Sequence, residues 1–99
     1  MRYQDNIRDY KSKKILENGE VLYLGCYDYP NGAVWLCRYK DKYYKITHDG
    51  TGNEFFASQA PEELTKEEAI SVAYQKNKIE EAIKFFGWER EEVDQALGL

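Results

Sequence analysis

VLYLGCYDYPNGAVWLCRYKDKYYKIT, Val21 to Thr47, holds three runs rich in Val, Leu, Tyr and Trp, parted by Pro30-Asn31-Gly32 and by Lys40-Asp41-Lys42. Aromatic and β-branched side chains suit a pleated, half-buried surface, and the breaks carry turn chemistry. From about Glu20 onward the stretch therefore reads as a three-stranded antiparallel meander. Everything before and after the meander must pack on the resulting sheet.

The first turn sets an expected register. A two-residue loop at Asn31-Gly32 would put Cys26 opposite Cys37. A type I turn over Tyr29-Pro30-Asn31-Gly32, with Gly32 in the left-handed region, would put Cys26 opposite Leu36. Proline presets φ for the second position of that turn, so the second register is favoured. It sorts Leu22, Leu24, Cys26, Val34 and Leu36 onto one face. Tyr23, Tyr27, Tyr29, Trp35, Cys37 and Tyr39 take the other. The aliphatic face is the expected bed for helices, and the aromatic face stays partly open unless the N-terminal segment covers it.

Around the meander the signals are mixed. Asn18-Gly19 suggests a tight turn. Before it, Lys13 to Leu16 reads either as a short extra strand or as part of a weak helix marked by Tyr3, Ile7, Tyr10 and Lys14. After it, HDGTGN (residues 48–53) is a loop, and GNEFFAS (52–58) reads as a short fourth strand. Past Pro61 the composition changes. Thr65 and Glu68 have the spacing of a capping box, so a helix should start at about Lys66. Ala69, Ile70, Ala73 and Tyr74 recur at helical intervals, and Ile79, Ala82, Ile83 and Phe86 continue after a break near Asn77. Gly87 should cap that run, and Glu89 to Leu97 should form a last short helix. The expectation is an α+β domain: a small antiparallel meander of three to four strands followed by two or three C-terminal helices packed on one face. It occupies residues 1–99 as one unit, β-rich over about 13–58 and helical over about 65–97.

The chain has 99 residues, 42% hydrophobic and 15% aromatic, which suffices for one core. The N-terminal MRYQDNIRDYKSKK lacks an apolar run for export, and no stretch approaches the ~18 apolar residues of a membrane span. A cytoplasmic location, no membrane association and reduced thiols are expected. The net charge of −4 divides unevenly. Residues 1–50 carry nine Lys and Arg against seven Asp and Glu, and residues 51–99 carry five against eleven.

No reactive constellation emerges. His48 is the sole histidine, and nothing in the spacing brings it to Cys26 or Cys37 as a base for a thiolate. A zinc site would need Cys26, Cys37 and His48 with Asp28 or Asp49, without paired C-x-x-C ligands. The HDGTGNE loop lacks both a phosphate-binding continuation and the calcium-loop pattern. Neither an enzymatic activity nor a cofactor is expected.

Two surfaces remain. Nine tyrosines make an aromatic interface plausible on chemical grounds, since Tyr joins an apolar ring to a polar tip. In RYKDKYYK, Arg38, Lys40, Lys42 and Lys45 interleave with Tyr39, Tyr43 and Tyr44, a pattern suited to phosphates and stacked bases. Lysines also discourage edge-to-edge strand pairing, and the acidic total opposes nucleic-acid binding.

AIKFFGWEREEVDQAL, Ala82 to Leu97, resembles locally the first two helices of ubiquitin-associated domains, in which a glycine and a following aromatic residue, here Gly87 and Trp88, form a binding loop. The likeness spans sixteen residues and lacks the third helix of such a domain. The stretch also resembles a helix-turn-helix superficially, but EREEVDQ would set acids against phosphates. It is read as a helix-Gly-helix hairpin.

The resulting expectation is a small non-enzymatic protein-binding regulator or inhibitor. Phage and mobile-element inhibitors of bacterial nucleic-acid-handling or defence proteins are often of this size and character. Its protein-binding residues would be Tyr27, Tyr29, Trp35, Tyr39, Glu91 and Glu92. The alternative is a nucleic-acid-binding module using the hairpin 38–45, through Arg38, Lys40, Lys42, Tyr43 and Lys45.

Overall fold

The computed structural model describes residues 9–25, 33–48 and 60–99. In chain order these form α1 (Tyr10–Asn18), β1 (Glu20–Gly25), β2 (Ala33–Tyr39), β3 (Lys42–His48), β4 (Glu62–Leu64), α2 (Lys66–Gln75), α3 (Ile79–Phe86) and α4 (Arg90–Leu97). The strands make one antiparallel sheet ordered β1-β2-β3-β4. The fold is thus the expected α+β meander followed by helices.

Side-chain alternation in the strands creates two cores. Leu24, Val34, Leu36 and Tyr43 join Ala69, Ile70, Ala73, Ala82, Phe86, Trp88 and Val93 of the C-terminal helices. On the other face Ala33, Trp35, Cys37, Tyr44 and Ile46 join Ile15 and Leu16 of α1. The expected sorting of faces holds for the described residues, and the aromatic face is roofed by the N-terminal helix. Trp35 is consequently only 3% exposed. This corrects its place among the expected surface residues: the ring fills the core under α1.

α1 forms because Asp9 accepts a hydrogen bond from the Ser12 amide at 2.9 Å and turns Ser12, Ile15 and Leu16 inward. The helical reading of this segment is correct and the strand at Lys13 to Leu16 is not. The expected stripe is also out of phase, because Tyr10 is 76% exposed. Tyr3 and Ile7 lie outside the described residues. At the other end the Gly19 amide donates to Ile15 O at 2.7 Å. A Cβ on Gly19 would stand 2.8 Å from that oxygen and 3.0 Å from Arg38 O, so the residue is glycine because α1 ends against the β2 backbone.

The β1–β2 register differs from both sequence-based expectations. Leu22 faces Leu36 and Tyr23 faces Trp35, and past a bulge Gly25 faces Val34. The favoured turn would have put Asp28 there. The pairing observed places Glu20 opposite Arg38, and Gly25 absorbs the bulge at φ 108°, a conformation open to glycine. These tertiary contacts outweigh local turn chemistry. The slip is an even number of residues up to the bulge, so each side chain kept its face. Cys26, Tyr27, Tyr29 and the Pro-Asn-Gly turn lie outside the described residues.

β2 and β3 meet in a two-residue turn, with Tyr39 facing Lys42 and with Lys40 and Asp41 at φ 51° and 64°. Both signs are those of a type I′ turn. The expected strand at GNEFFAS lies outside the described residues. On the side away from β2, β3 pairs with β4, which stands directly before the Thr65 cap. The helices match closely: Thr65 caps α2 in a full capping box, Asn77 at φ 58° breaks the stripe, and Gly87 at φ 72° ends α3.

Candidate protein-binding surface

The α2–α4 layer is locked to the sheet by one polar-aromatic cluster. Arg38 forks onto Glu20, with Nε donating to Oε1 at 2.9 Å and Nη2 to Oε2 at 2.7 Å. Its Nη1 donates to Phe86 O at 3.0 Å and to the Tyr43 hydroxyl at 3.5 Å. The guanidinium also lies 5.5 Å from the centre of the Phe86 ring. The Glu20 hydrogen bond, with Tyr43 assisting, raises the Arg38 pKa further above its ordinary range. Trp88 Nε1 donates to Tyr43 Oη at 2.8 Å in the interior. Phe86 stacks on Trp88 at 5.1 Å and meets Tyr43 edge-on at 5.6 Å.

That cluster accounts for two residues of the alternative nucleic-acid set. Arg38 is held by β1 and α3, and Tyr43 is only 8% exposed. Lys42 pairs with Glu63 at 3.3 Å. Lys40 is exposed over the Tyr39 ring, and Lys45 is half-buried opposite Glu62. The five side chains therefore present no continuous row of free cations and stacking rings. Trp88 of the glycine-aromatic pair is 5% exposed, so this loop turns its ring inward, away from any partner.

Of the residues expected at a protein interface, Tyr39 is half-buried at the β2–β3 turn and Glu91 is exposed on α4. Glu92 is bound to Lys66 at 2.6 Å. Trp35 is core. Among the described residues of the set, therefore, Trp35 and Tyr39 lie on the sheet and Glu91 and Glu92 sit together on α4.

Those two acids belong to the helical layer α2–α4. Between Lys66 and Leu97 there are eight acidic residues against five Lys and Arg. Glu80 pairs with Arg90, which holds the Glu80 carboxyl below its ordinary range. Glu67, Glu81, Glu89 and Glu91 are exposed and enter no ion pair. Tyr74 on α2 and Phe85 on α3 are exposed as well, at 51% and 43%. The sequence reading passed over Phe85. Its signal was phase: the inward stripe of α3 is Ile79, Ala82, Ile83 and Phe86, and Phe85 is a large apolar residue outside it.

Across the sheet, α1 carries Lys11, Lys13 and Lys14 against Glu17. The two sides are not purely of one sign, since Arg38 reaches Phe86 on the helical side and Glu63 faces Tyr44 on the α1 side. Among the described residues no three His, Cys, Asp or Glu side chains are grouped as metal ligands. No described helix is long and apolar enough to cross a membrane. Comparison of the chain with protein-family models, curated proteins and solved structures finds no match.

Proposed function

We propose that this protein is a small non-enzymatic regulator or inhibitor that binds a basic protein through the outer surface of α2–α4. The observation that carries this reading is the excess of carboxylates on that layer, Glu67, Glu81, Glu89 and Glu91 among them exposed and outside any ion pair, together with exposed aromatic rings. Like-signed exposed charges steer an oppositely charged partner into encounter, and aromatic side chains supply contact area once it arrives. A nucleic-acid-handling or defence protein of the kind that phage and mobile-element inhibitors act on carries such a basic surface, which these carboxylates imitate a polyanion in meeting.

The test is affinity capture from the native host, with mass spectrometry of bound protein and nucleic acid, followed by association kinetics of the purified pair. The expected result is a basic protein whose association slows as salt rises. Capture of nucleic acid alone, together with oligonucleotide binding by the purified chain that steepens at low salt, would overturn the proposal.

A further inference from the structure

We infer that Phe85 is the anchor of this surface and that its occupant is an arginine side chain on a basic segment of the partner, an inference that rests on the protein-binding reading above. A lone exposed apolar side chain is ordinary on a protein surface and says little by itself. Phe85 differs in three respects.

First, α3 does not need it, since Ile79, Ala82, Ile83 and Phe86 already complete the inward stripe. Second, the ring is held. It meets Phe86 edge-on at 4.9 Å and 89°, and Phe86 is itself fixed by Trp88, Tyr43 and Arg38. A ring ordered before binding loses little freedom on contact. Third, its charged surroundings favour a cation. Glu81 lies one turn back on the same helix face, and Glu89 follows just past Gly87, both exposed and outside any ion pair. The nearby cations are Lys84 and Arg90, both of which act on Glu80, and Lys78 just before the helix.

An aromatic face beside a carboxylate suits a guanidinium better than an ammonium. The planar group stacks on the ring while its N–H fork reaches the acid. The molecule uses the same chemistry one residue away, where Arg38 lies over Phe86 and forks onto Glu20. Phe85 and Glu81 offer a second, outward-facing version of that arrangement with the arginine position open to a partner.

The probe is a pair of peptides of equal length, oligoarginine and oligolysine, titrated into the isotope-labelled full chain with amide and indole shifts as the readout. Oligoarginine is expected to perturb residues 81–89 and to bind about two- to fivefold tighter than oligolysine, the size of an exposed cation–π gain. Phe85→Ala should erase that preference, and Phe85→Tyr should keep it. An unchanged Trp88 indole signal checks that the fold survives. Equal binding of the two peptides, or a preference untouched by Phe85→Ala, overturns the anchor and leaves the basic-partner reading standing. Failure of both peptides to perturb α2–α4 overturns both.

Discussion

The Trp88 indole donates its N–H to the Tyr43 hydroxyl across 2.8 Å in the interior, joining the α3–α4 connection to β3 of the sheet. Trp88 also stacks on Phe86, whose ring meets Phe85 edge-on, so the bond and the exposed ring belong to one contact chain. Trp88 and Tyr43 are nearly buried, so water cannot freely replace either partner of the bond. Tyr43→Phe is expected to cost about 1–3 kcal/mol, the penalty for leaving a buried donor unpaired. Trp88→Phe in the same background should recover part of that loss, because the orphaned N–H goes with it. Urea midpoints of the two single variants and the double variant measure this. Additive losses would mean that the bond contributes nothing beyond packing.

Cys37 gives a pH dependence of known sign. Burial pushes its pKa from 9.0 up to about 12. Above pH 9 the unfolded chain releases this proton while the folded chain keeps it, so the unfolded state binds fewer protons and stability falls with rising pH. The loss begins near pH 9, approaches about 1.4 kcal/mol per pH unit, and ends near the folded value. In a Cys26→Ser background, Cys37→Ala should flatten this part of the pH–stability curve. The same background should show a Cys37 thiol inert to aromatic disulfide reagents until the chain unfolds. Rapid reaction of the native protein would contradict the burial.

The sequence was legible where local chemistry and tertiary packing agree. Thr65, Asn77 and Gly87 each act through their own backbone, so the helix boundaries could be read directly. The faces of β1 and β2 could be read because alternation is insensitive to a slip of two or four residues. The register could not, since it depends on Glu20 reaching Arg38 eighteen residues away. Trp35 looked like surface because nothing in its own strand shows that Ile15 and Leu16 will cover it. Arg38 and Tyr43 looked like a ligand-binding pair for a related reason: their partners, Phe86 and Trp88, lie more than forty residues downstream. The acidity of the second half was visible from the start, but which of its carboxylates stand exposed and outside ion pairs on the helices required the fold.

The capping box allows a direct check on the boundary between sheet and helices. Thr65 Oγ1 accepts from the Glu68 amide at 3.1 Å, and Glu68 Oε1 accepts from the Thr65 amide at 2.9 Å. Thr65→Ala should cost about 1 kcal/mol. Amide exchange should accelerate in the first turn of α2 more than in α3 or α4. A uniform change across all three helices would show that the cap acts only through global stability.

The β2–β3 turn holds Lys40 and Asp41 in left-handed backbone conformations without a glycine. Such a conformation costs about 1–2 kcal/mol for most L-residues, with less for Asp. Lys40→Asn with Asp41→Gly supplies the residues a type I′ turn favours, and should raise stability by about 1 kcal/mol. Thermal melts measure it. A loss of stability would show that the lysine stacked on Tyr39 outweighs the strain.

The charge on α4 separates the two functional readings. Glu91 is free of ion pairs, whereas Glu92 holds Lys66, so reversing both with Glu91→Lys and Glu92→Lys also sets a cation against Lys66. That pair is partly exposed and contributes up to about 1 kcal/mol, which Lys66→Glu added to the double variant should restore. With stability matched in this way, the remaining effect reports on encounter. Association with a basic partner should slow most at low salt and converge with wild type as screening increases, while the dissociation rate changes little. Lys40→Glu with Lys42→Glu, on the β2–β3 turn, is expected to leave that association rate unchanged or slightly raised. The opposite pattern, in which the lysine reversals abolish function and the glutamate reversals have no effect, would assign recognition to the hairpin 38–45 and to a polyanion in place of a basic protein.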